Sequence, residues 1–169
     1  MGLKDIRAVI CDVDGVLTDG TLYLGGGGIE LKGFHAWDGA GMKYLMRSGI
    51  GVALLTGRES EVVARRAEEL GIEHVRQGVK DKLPACEELL AELGVAAAAA
   101  CYVGDDLVDV PVMRHVGTGV AVANARAEVR DAADLVTDAA GGKGAVRELA
   151  ERILKAQGMW AAVVSRYGL

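Results

Sequence analysis

The chain has 169 residues, of which 51% are hydrophobic, so it can bury a sizeable core as one globular domain over 1–169. Its net charge of −5, with only 4% aromatic residues, argues against a nucleic-acid partner. No apolar run is long enough to cross a bilayer, and the three cysteines form no Cys-x-x-Cys pair. We therefore expect a cytoplasmic protein with reduced thiols and no membrane partner.

The first predicted element is a buried strand over 7–13, which runs into the sequence Cys-Asp-Val-Asp-Gly. A β-hairpin follows over 20–34, and four consecutive glycines at its turn predict a loose connection. Asp38 then caps a helix that Gly49 ends. This region predicts a single strand followed by a hairpin flap and a helix.

Beyond residue 50, apolar strands alternate with amphipathic helices. Strands are predicted at 52–55, 72–75, 101–103, 119–122 and 135–136, and helices at 60–70, 82–93, 108–116, 125–132 and 144–156. This alternation predicts an α/β fold: a Rossmann-like, doubly wound parallel sheet with helices on both faces. The C-terminal tail over 158–169 has no clear partner within that domain.

Polar residues follow three of the predicted strands, and ligands of open parallel sheets bind at such strand ends. The groups are Asp12 with Asp14, Thr56 with Gly57 and Arg58, and Asp105 with Asp106, while Lys82 starts a helix. Two carboxylates as close as the first pair repel unless a cation lies between them or one keeps its proton. An aspartate pair that merely starts a turn is an open alternative for that pair alone.

Together these residue types suit phosphoryl transfer. A carboxylate attacks phosphorus and forms an aspartyl-phosphate, while a second carboxyl group protonates the leaving alkoxide and then deprotonates water. Oxygen ligands of this kind suit Mg²⁺, and a lysine offsets charge on the transferred group. Asp12 and Asp14 are candidates for these two carboxyl roles.

The ordered set of motifs resembles the haloacid dehalogenase superfamily of phosphatases. The motifs are Asp-Val-Asp-Gly-Val-Leu-Thr-Asp at 12–19, Thr-Gly-Arg at 56–58, Lys82 and Gly-Asp-Asp at 104–106. Further segments, including Gln-Gly at 77–78, Pro-Val-Met at 111–113 and Gly-Gly-Lys-Gly at 141–144, resemble its subfamily of 3-deoxy-D-manno-octulosonate 8-phosphate phosphatases. The resemblance runs from residue 6 to about residue 157.

The resemblance implies a role for each matching residue, and it implies Mg²⁺ as the cofactor. Asp12 is the nucleophile, Asp14 the general acid/base, and Thr56 and Lys82 hold the phosphoryl group. The metal is held by the Asp12 carboxylate, the Asp14 main-chain carbonyl and Asp105, and Asp106 and Asp109 orient these ligands through water rather than directly. Substrate-binding candidates are Gly57, Arg58, Arg66 and Gly78. Two alternatives are open: Asp109 merely supports its helix, and Arg66 is part of a solvated charged face.

No predicted segment is long enough for the separate cap domain that many members of this superfamily insert. The resemblance implies a homotetramer instead, in which neighbouring subunits cover each other's active sites. The hairpin's apolar residues Leu22, Leu24, Ile29 and Leu31 would form the interface, and Arg66 and the tail could reach a neighbouring site.

The predicted activity is hydrolysis of 3-deoxy-D-manno-octulosonate 8-phosphate (KDO 8-phosphate), a small-molecule sugar-acid phosphate, in lipopolysaccharide biosynthesis. Three alternatives are weighed against it. They are a phosphatase of a nine-carbon sugar acid 9-phosphate, a non-catalytic tetramer-forming module, and a receiver domain. The intact Asp12, Asp14, Lys82 and Asp105 argue against the module. A receiver domain would need an isolated aspartate on a later strand than its acidic pair.

Overall fold

A six-stranded sheet forms the centre of the structure, a computed structural model that describes residues 2–169. The strands are β1 (Ala8–Cys11), β2 (Tyr23–Leu24), β3 (Glu30–Leu31), β4 (Gly51–Leu55), β5 (His74–Arg76), β6 (Ala100–Gly104), β7 (Thr118–Ala121) and β8 (Leu135–Val136). The main sheet has the order β5-β4-β1-β6-β7-β8, and all its pairs are parallel. The doubly wound parallel sheet is confirmed.

Helices connect the strands of this sheet. They are α1 (Ala36–Arg47), α2 (Glu61–Leu70), α3 (Lys82–Leu93), α4 (Val110–His115), α5 (Ala127–Ala132), α6 (Ala145–Ala156) and α7 (Trp160–Ser165). The chain moves outward from β1 through β4 to β5, then crosses to β6 and moves the other way. Because such crossovers are right-handed, α1 and α2 lie on one face and α3, α4 and α5 on the other. Helix α6 packs beside α1. Among the described residues, no helix has both the length and the apolar character needed to cross a membrane.

The predicted hairpin between β1 and α1 is present as a small separate sheet of β2 and β3, and no cap domain occupies this connection. We call residues 20–34 the flap. Its apolar side chains point to solvent: Leu22, Leu24, Ile29 and Leu31 are 42%, 67%, 61% and 63% exposed. A short 3₁₀ turn over Gly26–Gly28 replaces the loose glycine turn that we expected.

Asp38 does not cap its helix, contrary to the prediction. His35 is the N-cap residue of α1, and its side chain accepts a hydrogen bond from the Trp37 N–H. Asp38 lies inside the first turn and is buried, where its carboxylate accepts hydrogen bonds from the backbone N–H groups of Gly144 and Arg147. Asp38 therefore caps α6 from the neighbouring helix, a contact more than a hundred residues distant in sequence.

The expectation that the tail lacks a partner is also wrong. Residues 160–165 form α7, whose Val163 is buried. Trp160 packs edge-on to Tyr44 of α1, with 6.2 Å between ring centroids. The Arg147 guanidinium of α6 lies 4.8 Å from the Tyr44 ring centroid and 5.7 Å from that of Trp160. The tail thus packs on its own domain through aromatic and cation–π contacts.

We expect Gly141→Ala to destabilise the protein by about 1–3 kcal/mol, the usual cost of overpacking a close contact. A Cβ at this position would lie 1.7 Å from the Gly15 carbonyl oxygen, so the loop after Asp12 would have to shift. Urea denaturation measures the loss. Gly33→Ala is the matched control, because a Cβ at Gly33 meets nothing within 4 Å. Equal stability of the two variants would show that the contact is easily relieved.

Candidate active site

Three neighbouring strands bring the predicted polar residues to one edge of the sheet. β1 lies between β4 and β6, so Asp12, Thr56 and Asp105, which follow these strands, are adjacent. This is also where the chain changes direction across the sheet, the usual position of a ligand site in such folds. A cavity of about 380 Å³ opens there, lined by Asp12, Asp14, Gly20, Thr56, Gly57, Arg58, Val79, Lys80, Lys82, Asp105, Asp106 and Val108.

Lys82 and two carboxylates form a buried chain of charges at the base of the cavity. Lys82 starts α3, and its Nζ lies 2.9 Å from Asp12 Oδ2 and 2.7 Å from Asp109 Oδ1. The other Asp12 oxygen accepts a hydrogen bond of 2.7 Å from the Val13 N–H. Asp12, Lys82 and Asp109 are 6%, 5% and 0% exposed. The reacting carboxylate that we predicted is therefore held in one orientation by its own loop and by a buried ammonium group.

Asp109 makes more contacts than a support for a helix turn requires. Its Oδ1 also accepts from the Tyr102 hydroxyl at 2.7 Å, and its Oδ2 accepts from the N–H groups of Asp105 and Asp106 at 3.0 and 3.1 Å. It therefore positions Lys82 and the backbone of 105–106 directly. The sequence prediction, which favoured an indirect effect through water, missed these bonds.

Burial and crowding raise the pKa of two carboxyl groups here. Desolvation, followed by the charge of Asp109, raises the pKa of Asp12 to about 6, although Lys82 opposes the change. Desolvation, followed by the charges of Asp12 and Asp109, raises the pKa of Asp105 to about 7. For Lys82, burial opposes the charged form, but Asp12 and Asp109 outweigh it and its pKa is raised. The negative charges at this edge thus exceed what one lysine offsets.

A divalent cation fits this donor set. Oxygen atoms of Asp12, Asp105 and Asp109 all lie within 4.8 Å of one another. Gly15 makes the approach of Asp105 possible, because its φ is +91° and a Cβ there would lie 2.1 Å from Asp105 Oδ2. Asp109 is fully buried and each of its oxygens accepts two hydrogen bonds, whereas Asp12 and Asp105 line the cavity and are the side chains placed to ligate. Oxygen-only ligands of this kind suit Mg²⁺.

The flap contributes two charged residues that the sequence prediction missed. Lys32 Nζ donates to Asp14 Oδ1, and Glu30 Oε2 accepts from the Ser60 hydroxyl at 2.6 Å. Glu30 Oε1 lies 3.8 Å from a terminal nitrogen of Arg58, whose Nε is 3.8 Å from Asp14 Oδ2. The alternation of Ile29, Glu30, Leu31 and Lys32 is the signal that could have revealed them, because strand side chains alternate faces.

Two of the predicted substrate residues do not line the cavity. Arg66 lies on α2, where it pairs with Glu69 at 2.8 Å and sits 5.8 Å from the Phe34 ring centroid. Gly78 is absent from the cavity lining, and its N–H donates to the Arg58 carbonyl oxygen at 3.3 Å. Lys80, which was not predicted, does line the cavity.

A buried, charge-paired carboxylate, a second carboxylate two residues later, and a hydroxyl and a lysine converge at the switch point of a parallel sheet. Fold and site together define a Rossmann-like enzyme of the α/β class that is built for phosphoryl transfer. Residues 72–149 match the family model of haloacid dehalogenase-like hydrolases.

Sequence and structure comparisons narrow this class. The 3-deoxy-D-manno-octulosonate 8-phosphate phosphatase KdsC of Salmonella typhi is 49% identical over 155 residues, which cover 92% of this chain and 82% of the relative. The crystal structure of the Yersinia pestis phosphatase of the same name has a TM-score of 0.92 and 48% identity, and covers 94% of this chain and 86% of that one.

A third relative carries ligands. The 3-deoxy-D-manno-octulosonate 8-phosphate phosphatase of Moraxella catarrhalis, solved with a magnesium ion, a phosphate ion and KDO, has a TM-score of 0.94 and 43% identity. The match covers 98% of this chain and 95% of that one. This chain belongs to the family of 3-deoxy-D-manno-octulosonate 8-phosphate phosphatases, within the haloacid dehalogenase-like hydrolases. The predicted resemblance is confirmed.

Proposed function

We propose that this protein hydrolyses KDO 8-phosphate to KDO and inorganic phosphate, a step of lipopolysaccharide biosynthesis. One observation carries the proposal. Asp12, Asp14, Thr56, Lys82 and Asp105 all line one cavity in a chain 49% identical to KdsC over 92% of its length.

Mg²⁺ is the cofactor that these residues fit. Asp12 and Asp105 would hold it through their carboxylates and Asp14 through its main-chain carbonyl, while Asp106 and Asp109 orient the surrounding loop. When bound, the ion offsets negative charge on the attacking carboxylate and on the transferred phosphoryl group. The crowding that raises the pKa values of Asp12 and Asp105 is the reason that a cation belongs there.

The reaction proceeds in two displacements. A carboxylate oxygen of Asp12 attacks phosphorus, the bond to the sugar oxygen breaks, and Asp14 gives its proton to the departing alkoxide. Water then attacks the aspartyl-phosphate, Asp14 takes back a proton, and phosphate leaves. Lys82 and the Thr56 hydroxyl hold the non-bridging oxygens of the phosphoryl group throughout.

The sugar acid contacts the outer part of the cavity. Arg58, 44% exposed at its side chain, stands at the cavity wall with a planar guanidinium suited to a carboxylate. Gly57 has no side chain and so leaves room for the substrate beside Arg58. The Gly78 N–H donates to the Arg58 carbonyl oxygen and so fixes the backbone of that loop. Arg66, which does not line the cavity of its own subunit, would act on a neighbouring subunit's substrate.

A panel of sugar phosphates tests the substrate. We expect KDO 8-phosphate to be hydrolysed with a higher kcat/KM than nine-carbon sugar acid 9-phosphates, and both to exceed simple hexose phosphates. Equal values across the panel would refute specificity, and a preference for a nine-carbon substrate would favour the alternative. Absence of turnover with every phosphate in the presence of Mg²⁺ would favour the non-catalytic module.

We also propose that residues 1–169 form a single domain that assembles as a homotetramer, with neighbouring subunits covering each cavity. The exposed apolar side chains of the flap support an interface there. Light scattering of the purified protein tests it, and Leu24→Lys should dissociate the assembly. A tetramer that persists in this variant would place the interface elsewhere.

The tail over 158–169 packs on α1 and α6 of its own subunit. Any contact between the tail and a neighbouring subunit would therefore begin at α7.

Three buried free cysteines, Cys11, Cys86 and Cys101, support a reducing compartment, the cytoplasm. Cell fractionation tests that location.

We expect Mg²⁺ to raise the melting temperature more at about pH 8 than at about pH 5. A raised folded-state pKa contributes stability at low pH that is lost as the pH rises through about 6 for Asp12 and about 7 for Asp105. At pH 8 the carboxylates of the metal-free protein are ionised and repel each other, and bound Mg²⁺ offsets this repulsion. At pH 5 Mg²⁺ must first displace protons from these carboxyl groups.

Differential scanning fluorimetry at both pH values, with chelator and with added Mg²⁺, measures this effect. Asp105→Asn is the control, because it removes one ligand and one of the two raised pKa values and should flatten the pH dependence. An equal Mg²⁺-induced shift at both pH values would contradict the assignment.

A further inference from the structure

Lys32 is a lysine of the flap that is almost completely removed from solvent. Its side chain is 1% exposed, its Nζ donates to Asp14 Oδ1, and Glu30 Oε1 lies 3.5 Å away. Burying an ammonium group carries a desolvation cost, so it is a poor way to attach a hairpin. The flap is in any case attached nearby, through the 2.6 Å hydrogen bond between Ser60 and Glu30.

The other oxygen of Asp14 is arranged differently. Asp14 Oδ2 is buried and accepts no hydrogen bond from the residues that the structure describes. Arg58 Nε lies 3.8 Å from it, beyond hydrogen-bond distance. Asp14 lines the cavity, and no protein donor competes with a ligand for this atom. One oxygen is thus held by the flap, while the other has no hydrogen-bond donor from the protein.

We propose that Lys32 is a positioning residue for the acid/base carboxyl group of Asp14. By holding Oδ1, it selects the rotamer in which Oδ2 faces the sugar oxygen and, later, the attacking water. Oδ2 is then the atom that carries the transferred proton. This inference rests on the proposed function, because it deepens the role of Asp14 in that reaction.

The local backbone explains why Asp14 needs an outside partner. It stands in the turn after β1, where the N–H groups of Val16, Leu17 and Thr18 all point to the Val13 carbonyl oxygen. That turn offers no donor to the Asp14 side chain among the hydrogen bonds of the structure. A side chain with two free torsions loses catalytic alignment easily, and a fixed second contact restores it. Lys32, from a separate element, supplies that contact.

The experiment uses the full-length protein with Mg²⁺ and the variants Lys32→Met and Lys32→Arg. We expect Lys32→Met to lower kcat for KDO 8-phosphate about a hundredfold, the usual scale of a general acid/base contribution, with little change in KM. Lys32→Arg should recover most of the activity, since it restores a cation to Asp14. Lys155→Met is the matched control, because Lys155 is 54% exposed, contacts Glu151 and the Trp160 ring and should keep full activity.

Two further measurements separate positioning from a structural effect. In an Asp14→Asn background, Lys32→Met should cause no additional loss, because the group it positions is gone. With p-nitrophenyl phosphate, whose leaving group needs no proton, the single-turnover release of nitrophenolate should be reduced much less than that from KDO 8-phosphate. Should Lys32→Met prove insoluble, Lys32→Gln carries the same comparison in both backgrounds.

Wild-type turnover in Lys32→Met, or losses that multiply in the double variant, would overturn this inference. A proportional loss on both substrates with a lowered melting temperature would also overturn it, because it would indicate a structural role. Different results would refute the proposed function. They are a wild-type protein without Mg²⁺-dependent phosphatase activity, or turnover that persists when Asp12 is replaced.

Discussion

We expect Asp12→Asn to release phosphate at least about 10⁴-fold more slowly than the wild type, the scale on which loss of a nucleophile acts. The amide is a poor nucleophile, and no other carboxylate can take its place. Asp105 is a proposed metal ligand, and Asp109 is fully buried, with each of its oxygens accepting two hydrogen bonds. Phosphate release from KDO 8-phosphate and from p-nitrophenyl phosphate, with and without Mg²⁺, measures the loss.

The same substitution should leave the metal-free protein as stable as the wild type, or more stable, at about pH 8. The pKa of Asp12 is raised to about 6, mainly by burial and by Asp109, so its ionised form is unfavourable in the folded state above that pH. Removing the charge removes this cost, and Lys82 keeps Asp109 as its partner. A thermal melt in chelator therefore separates loss of chemistry from loss of fold.

Asp19→Asn is the matched control for this variant. Asp19 lies on the same loop and is exposed, where it accepts a hydrogen bond from the Thr21 N–H at 2.9 Å. It should retain wild-type turnover. Repeated turnover by Asp12→Asn would refute the aspartyl-phosphate mechanism.

Asp109→Ala should lower the free energy of unfolding by about 3–5 kcal/mol, the cost of breaking a buried ion pair. The substitution leaves Lys82 without its 2.7 Å partner and removes the acceptor of the Tyr102 hydroxyl and of two backbone N–H groups. Activity should fall as well, because Lys82 and the loop of Asp105 lose their common anchor. Urea denaturation and phosphate release measure the two effects.

Tyr102→Phe is the graded control for Asp109→Ala. It removes one of the four donors to Asp109 and leaves the others in place, so its cost should be about 1 kcal/mol. Full activity in Asp109→Ala with a similarly small loss of stability would show that Asp109 only supports its helix. That was the alternative left open by the sequence.

Most of the elements could be predicted because their signals are local. The predicted helix at 82–93 coincides with α3, and the helix predicted at 60–70 begins one residue later as α2, with Ser60 as its N-cap. Two of the failures share one cause, which is a partner distant in sequence. Asp38 looks like an N-cap but bonds to residues of α6, and the tail packs through Trp160 on Tyr44.

The sequence by itself determined the family, the parallel sheet and the set of residues at the strand ends, because alternating apolar segments and ordered motifs are properties of the chain. Only the tertiary structure decided how those residues divide their contacts. In the folded protein Lys82 donates a hydrogen bond to Asp109, and Lys32 of the flap donates one to Asp14. A hydrogen bond depends on distances of a fraction of an ångström between groups far apart in sequence, and folding alone sets those distances.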